Sequence, residues 1–198
     1  MPKLFCLLCA YVVLVSGCGR SEARGPDAVA GRVVDSLVSP EVALARFRAP
    51  LAATDSLAGG AASLEELVRA YLRALEASDT SAFDRLRLTK AEFAYLYYPT
   101  SPEARSPYNL DPDLMWFMLF ERSNKGMLRA LRRYGGQRLA LVDVDCGRER
   151  SRAGDNTLFG PCSVRWRDAR GEVAGARLFS QIIERGGRYK FLNYGNKL

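Results

Sequence analysis

Along residues 64–75, apolar positions fall at three- and four-residue steps: Leu64, Leu67, Val68, Tyr71, Leu72 and Leu75. That spacing puts them on one face of an amphipathic helix. Ser63-Leu64-Glu65-Glu66 opens it as a capping box, in which a hydroxyl and a carboxylate satisfy exposed N–H groups. Asp79-Thr80-Ser81 ends this helix and caps a short second one carrying Phe83 and Leu86. A second capping box, Thr89-Lys90-Ala91-Glu92, starts a helix with Phe93, Leu96 and Tyr97, which Pro99 and Pro102 stop. After a proline-rich loop, Asp111-Pro112-Asp113 starts another helix. Its first turns, Leu114 to Phe120, are apolar on every side, which predicts burial all round or a cavity wall. Met127, Leu128 and Leu131 continue it, and Gly135-Gly136 ends it.

Beyond Gly136 the period changes from helical to alternating. Val142, Val144 and Cys146 fall on one face of a strand, Asp143 and Asp145 on the other. Cys162, Val164 and Trp166 alternate in the same way with Ser163, Arg165 and Arg167. Asp168-Ala169-Arg170-Gly171 reads as a turn, and one long strand is expected from Val173 to Glu184. Gly186-Gly187 makes a tight turn into a last strand, Tyr189 to Tyr194. Helices followed by an antiparallel meander define an α+β class, with N-terminal helices and an antiparallel sheet of about four strands. The folded domain is expected over residues 63–198. Residues 18–62 read as a tether, mostly irregular, with a short helix at Glu41 to Phe47 and a hinge at Ala58-Gly59-Gly60-Ala61.

The alternation also sets a register. If Cys146 faces Cys162 across an antiparallel pair, Val144 opposes Val164, Val142 opposes Trp166, and Asp143 opposes Arg165. A disulfide, an apolar face and an ion pair are then satisfied together. Cross-strand pairing with Arg165 and Arg167 accounts for Asp143 and Asp145, so no metal site is assigned to them. Gly147 to Pro161, closed inside the bridge, is polar and Gly-rich and reads as a mobile but leashed loop, with an arginine-rich run at Arg148 to Arg152.

The first residues change the picture from fold to address. Lys3 precedes an apolar run, Leu4 to Val15, too short to span a membrane as a helix. Leu14-Val15-Ser16-Gly17-Cys18 resembles the lipobox of bacterial lipoproteins, in which residues 1–17 would be removed as a signal peptide and Cys18 would carry the lipid. Cys6 and Cys9 would leave with the signal, and Cys146 and Cys162 would remain as a pair in a compartment that permits disulfides. Gly19, where an Asp commonly marks inner-membrane retention, implies by resemblance to that sorting rule the periplasmic face of the outer membrane.

The formal charge is +7, carried mostly by arginine. A basic surface suits nucleic acid, anionic lipid or acidic glycan, and an exported address argues against nucleic acid. The chain has no histidine. This removes Ser-His-Asp and Cys-His catalysis in their usual form and imidazole metal sites. No cofactor or metal is predicted.

Tyr71 to Asp79 followed by Phe83 and Leu86, together with the close Gly186-Gly187-Arg188-Tyr189-Lys190-Phe191, resembles the opening and last strand of nuclear transport factor 2-like domains. The resemblance implies a curved sheet wrapped around helices as a cone with an apolar pocket. Leu114 to Tyr134 is longer than that family's usual third helix, and Pro99 to Pro112 is an elaboration. Tyr71, Tyr95, Tyr97 and Trp116 are candidates to line the pocket, or else core aromatics with hydroxyls at the rim. The superfamily holds isomerases, cyclases, dehydratases and many noncatalytic binders. Two classes therefore stand. One is a lipid-anchored noncatalytic module for an apolar ligand or an envelope protein partner. The other is a small-pocket isomerase or cyclase using a carboxylate and Tyr, which needs an Asp or Glu buried in the pocket. The acidic residues fall mostly on polar faces, which favours the first.

Overall fold

The computed structural model describes residues 38–148 and 150–198. Residues 38–198 form one compact unit, in which helices precede antiparallel strands, an α+β arrangement. The unit begins upstream of the expected boundary at Ser63. Helix α1 (Pro40–Arg48) is capped by the Ser39 hydroxyl and buries Phe47. Arg48 then donates from Nε and Nη2 to the Ala94 carbonyl, at 3.1 and 2.8 Å. This part of the expected tether is therefore packed on the fold.

Helix α2 (Leu64–Ala77) starts at Ser63, whose hydroxyl accepts from the Glu66 N–H. The reciprocal arm is displaced by one residue: the Glu66 carboxylate takes the Ala62 N–H at 2.8 Å. Asp79 caps α3 (Thr80–Leu86) by accepting from the Ala82 N–H. Bonds from the Ser81 hydroxyl and the Ala82 N–H hold its carboxyl below the usual range. Thr89 and Glu92 form a complete capping box around α4 (Lys90–Glu92). A π-helical turn over Phe93–Tyr97 and short 3-10 turns at Tyr98–Thr100 and Pro102–Ala104 follow, as Pro99 and Pro102 end the helical run. The long helix α5 (Pro112–Tyr134) is capped by Asp111, which accepts from the N–H groups of Asp113 and Leu114.

The strands form two antiparallel sheets, of three and four strands, where about four strands in one sheet were expected. The first sheet orders β1 (Ala140–Asp145), β4 (Ser163–Arg167) and β5 (Val173–Ala176) as β1-β4-β5. The second orders β2 (Arg150–Ala153), β3 (Asn156–Phe159), β6 (Gln181–Arg185) and β7 (Arg188–Asn193) as β2-β3-β6-β7. The segment read as a mobile loop thus holds the β2–β3 hairpin, which turns at Gly154 with φ of 62°. The long strand expected from Val173 to Glu184 is two strands in different sheets. Between them Leu178 and Phe179 both turn into the core, and the Leu178 carbonyl accepts from the Tyr71 hydroxyl and the Asn196 amide instead of a neighbouring strand.

The register of β1 on β4 has Asp143 opposite Arg165 and Val144 opposite Val164, with Cys146 bonded to Cys162 just beyond. One pair differs from expectation. Trp166 faces Leu141, not Val142, because a bulge between Leu141 and Asp143 pushes Val142 out to 41% exposure. Asp143 pairs with Arg165, whose hydrogen bonds hold the Asp143 carboxyl below its usual range. Asp145 and Arg167 do not form the second pair; they bond to the Gly147 N–H and the Gly171 carbonyl.

Successive residues point to opposite faces of a strand, and β3, β6 and β7 bury residues on both faces. Phe159, Ile182 and Phe191 pack in one cluster with α2, α3 and the first sheet. Leu158, Ile183 and Leu192 pack in a second cluster with α1, the π-helical turn and the start of α5.

Candidate functional site

Helix α5 is held on the fold by a narrow inner face. Met115, Ser123, Gly126 and Ala130 recur at helical spacing and are buried. At Gly126 the helix comes so close to the chain just after β7 that a Cβ would lie 1.9 Å from the Tyr194 carbonyl oxygen. The Ser123 hydroxyl accepts from the Tyr194 N–H, and the Asn196 amide donates to the Gly126 carbonyl. The opposite face is thereby turned outward.

That outward face is where burial was expected. Leu114, Phe117 and Met118 are 48%, 60% and 55% exposed. At this level Met115, Trp116 and Leu119 face the second cluster, which leaves Leu114, Phe117 and Met118 turned to solvent. One turn on, the face becomes charged. Phe117, Met118, Glu121, Arg122, Lys125 and Arg129 line a shallow groove of about 400 Å³. Glu121 is partnered by Lys125 at 3.7 Å. A second cleft of about 350 Å³ shares Arg122 and Arg129 and adds Arg177 and Lys197. Arg129 is fixed by donating to the side chain and backbone oxygens of Asn196. Among the described residues, none of Arg122, Arg129, Arg177 and Lys197 has an Asp or Glu side chain within 4.0 Å. The surface therefore runs from apolar to strongly cationic along one helix.

The four candidate pocket residues are not gathered at one cavity. Tyr71 is fully buried in the larger cluster and donates to the Leu178 carbonyl at 3.1 Å. Burial, with Tyr134 nearby, raises its phenol above the usual range. Tyr97 lies in the other cluster, where burial, and secondarily the Glu103 charge, pushes its phenol up to about 12. Tyr95 is half-buried beneath the Arg48 guanidinium, 4.5 Å from its ring centre. Trp116 is half-buried between Phe93 and Phe120, at 5.3 and 5.9 Å between ring centres. None of the four lines either cleft described above. Cys18 lies outside the described residues.

One buried charge pair went unread in the sequence. Glu92 is the single buried carboxylate among the described residues, and Lys190 is the buried cation facing it. Lys190 sits on β7 beside Phe191 and Leu192, so its place within an apolar strand was the available signal. Among the described residues no group of three or more His, Cys, Asp or Glu is placed to hold a metal ion. No described helix is long and apolar enough to cross a membrane. No protein-family model, curated protein or solved structure matches the chain.

Proposed function

We propose that the chain is an exported bacterial lipoprotein, anchored through a lipid on Cys18 at the periplasmic face of the outer membrane. Its folded unit is a noncatalytic binding module for an apolar ligand or an envelope protein partner, not a nucleic-acid binder. The observation that carries the binding reading is the exposed apolar face of α5, Leu114, Phe117 and Met118, on a unit whose other large apolar side chains are mostly buried. Monomeric surfaces rarely leave such residues contiguous unless they meet something. The Cys146–Cys162 disulfide supports an oxidising, exported compartment.

The order of helices before antiparallel strands supports reading the unit as a nuclear transport factor 2-like cone. The enzyme alternative needs a carboxylate free to work inside a pocket. Glu92, the buried carboxylate, is instead occupied by Lys190 and by the Thr89 N–H, which favours the noncatalytic reading. The test is mass spectrometry of the mature protein with membrane fractionation. Acylated Cys18 in the outer-membrane fraction is the expected result, and Cys18→Ser should leave an uncut, unlipidated precursor. An unmodified Cys18 in the mature protein would overturn the anchor, and cosedimentation with inner-membrane markers would overturn the location.

A further inference from the structure

The anchor and the exposed helix face lie on the same chain, and together they identify what the face meets. We infer that the outward face of α5 docks on the anionic phospholipid surface to which the protein is anchored. Leu114, Phe117 and Met118 enter the interfacial zone, while Arg122 and Lys125 lie among the headgroups. This rests on the proposal above for the anchor and names the membrane surface, in place of a ligand or protein partner, as the occupant of that face.

Three observations carry the inference. The first is the pattern along the helix: apolar side chains over one and a half turns, then Arg and Lys on the same face, with its acids partnered, Glu121 by Lys125 and Asp113, beside Leu114, by Lys90. An interfacial helix shows this arrangement, with apolar groups below the headgroups and long basic side chains reaching back up to phosphate.

Charge is the second. Arg122, Arg129, Arg177 and Lys197 share one cleft without a neighbouring Asp or Glu side chain among the described residues. They extend the positive surface beyond the helix, and clustered Lys and Arg of this kind are attracted by anionic lipid. A wholly apolar ligand would leave these cations without a counter-charge.

The third is where the chain enters the fold. Val38, just before α1, and Val42, in its first turn, are both exposed, and α1 packs against α5. Only residues 19–37 separate Cys18 from Val38. Fully extended, that span reaches about 70 Å. The unit is thereby confined to a shell in which the effective concentration of the bilayer surface for α5 is on the order of millimolar. A contact too weak to hold a free protein is populated under that confinement.

The experiment uses the mature, full-length acylated protein in nanodiscs. With Cys18 acylated and Cys146 bonded to Cys162, Met118→Cys supplies one free thiol for a fluorophore. A second sample carries the fluorophore at Val173→Cys, an exposed position on β5. Quenching by headgroup-proximal spin-labelled lipid is compared between discs with about one-third phosphatidylglycerol and discs of phosphatidylcholine alone. At position 118 quenching should be at least threefold stronger in the anionic discs, and at least threefold stronger than at position 173. It should fall toward the neutral-disc value in 0.5 M salt, roughly, since screening at that strength shortens the reach of surface charge. Arg122→Glu with Lys125→Glu should abolish the difference, and both positions are exposed enough to leave the fold intact.

Equal quenching in the two lipids, or equal quenching at 118 and 173, overturns the inference and leaves the face to a protein partner. If mass spectrometry finds Cys18 unmodified, the anchor reading fails by itself. Cys18→Ser then keeps position 118 as the one free thiol, and anionic vesicles at accessible lipid on the order of millimolar, matching the confinement argued above, read the face directly: quenching at 118 supports the docking surface, and none overturns it.

Discussion

The Lys190 ammonium lies 2.8 and 3.0 Å from the two carboxylate oxygens of Glu92, and the two side chains are 3% and 2% exposed. The pair ties the start of α4 to the last strand, and Glu92 also accepts the Thr89 N–H at 2.8 Å. Removing one partner leaves the other buried without compensation. Lys190→Met should therefore cost about 3–5 kcal/mol, and the double variant Lys190→Met with Glu92→Gln should cost clearly less than the sum of the two single changes. Urea unfolding midpoints of the three variants check this. Additive losses would show that the two groups do not act as a pair.

Gly126→Ala offers a test of how α5 is seated. In an exposed helix this change gains about 1 kcal/mol from propensity. Here the new Cβ would sit 1.9 Å from the Tyr194 carbonyl, which is backbone and cannot swing aside. The clash should prevail, with a net loss of about 1–3 kcal/mol. Differential scanning calorimetry should show a lower Tm for Gly126→Ala, and an unchanged or raised Tm would mean that the helix is not pressed on the Tyr194 backbone at this point.

Local chemistry made the helix starts readable. Ser63, Asp79, Thr89 and Asp111 each sit at an N-cap, because capping depends on neighbours a few residues away. The pairing of Asp143 with Arg165 and Val144 with Val164 was readable for a similar reason, since alternation and the two cysteines constrain one register. Parity was lost at Val142, where a bulge inserts a residue that leaves no mark in the polar–apolar pattern. The β2–β3 hairpin was missed because three of the four β2 residues are exposed, and Leu158 and Phe159 are buried on opposite faces, which erases alternation. For the candidate surface, the apolar content of α5 was visible, but its direction was not. Outward exposure of Phe117 follows from the packing of Met115, Trp116 and Leu119 into the second cluster, and that depends on what they meet. Arg177 and Lys197 join Arg122 only through the tertiary fold.

The Cys146–Cys162 bridge closes a separation of 16 residues. In the chain-entropy account, a loop of that size stabilises the fold by about 3 kcal/mol, by limiting the unfolded ensemble. Native pairing on both sides of the bridge keeps the two positions together without it, through Val144 with Val164 and through β3 on β6. Cys146→Ala with Cys162→Ala should therefore remain folded and lose stability without changing secondary structure. A Tm lower by roughly 6–12 °C is expected for a chain of this size. A Tm within about 2 °C of the parent protein would mean that the bridge adds nothing to the fold.

Buried phenols set the alkaline limit of the fold. Burial raises the phenols of Tyr71 and Tyr194 above the usual range, and pushes Tyr97 up to about 12. An unfolded tyrosine ionises near pH 10, by about two units easier than Tyr97 in the fold. Below pH 10 both states hold the proton, so the stability due to this burial is fully present. Between about pH 10 and 12 the unfolded chain releases its protons first, and stability falls as pH rises. For Tyr97 alone the loss across that window is about 3 kcal/mol, and Tyr71 and Tyr194 act in the same direction. Tyrosinate absorbance should therefore show a late phase coincident with loss of the near-ultraviolet circular dichroism. Tyr97→Phe, which keeps the ring and removes the ionising group, should move that transition to higher pH. An unchanged transition in Tyr97→Phe, or a late phase arriving while the tertiary signal is intact, would show that Tyr97 reaches solvent without unfolding.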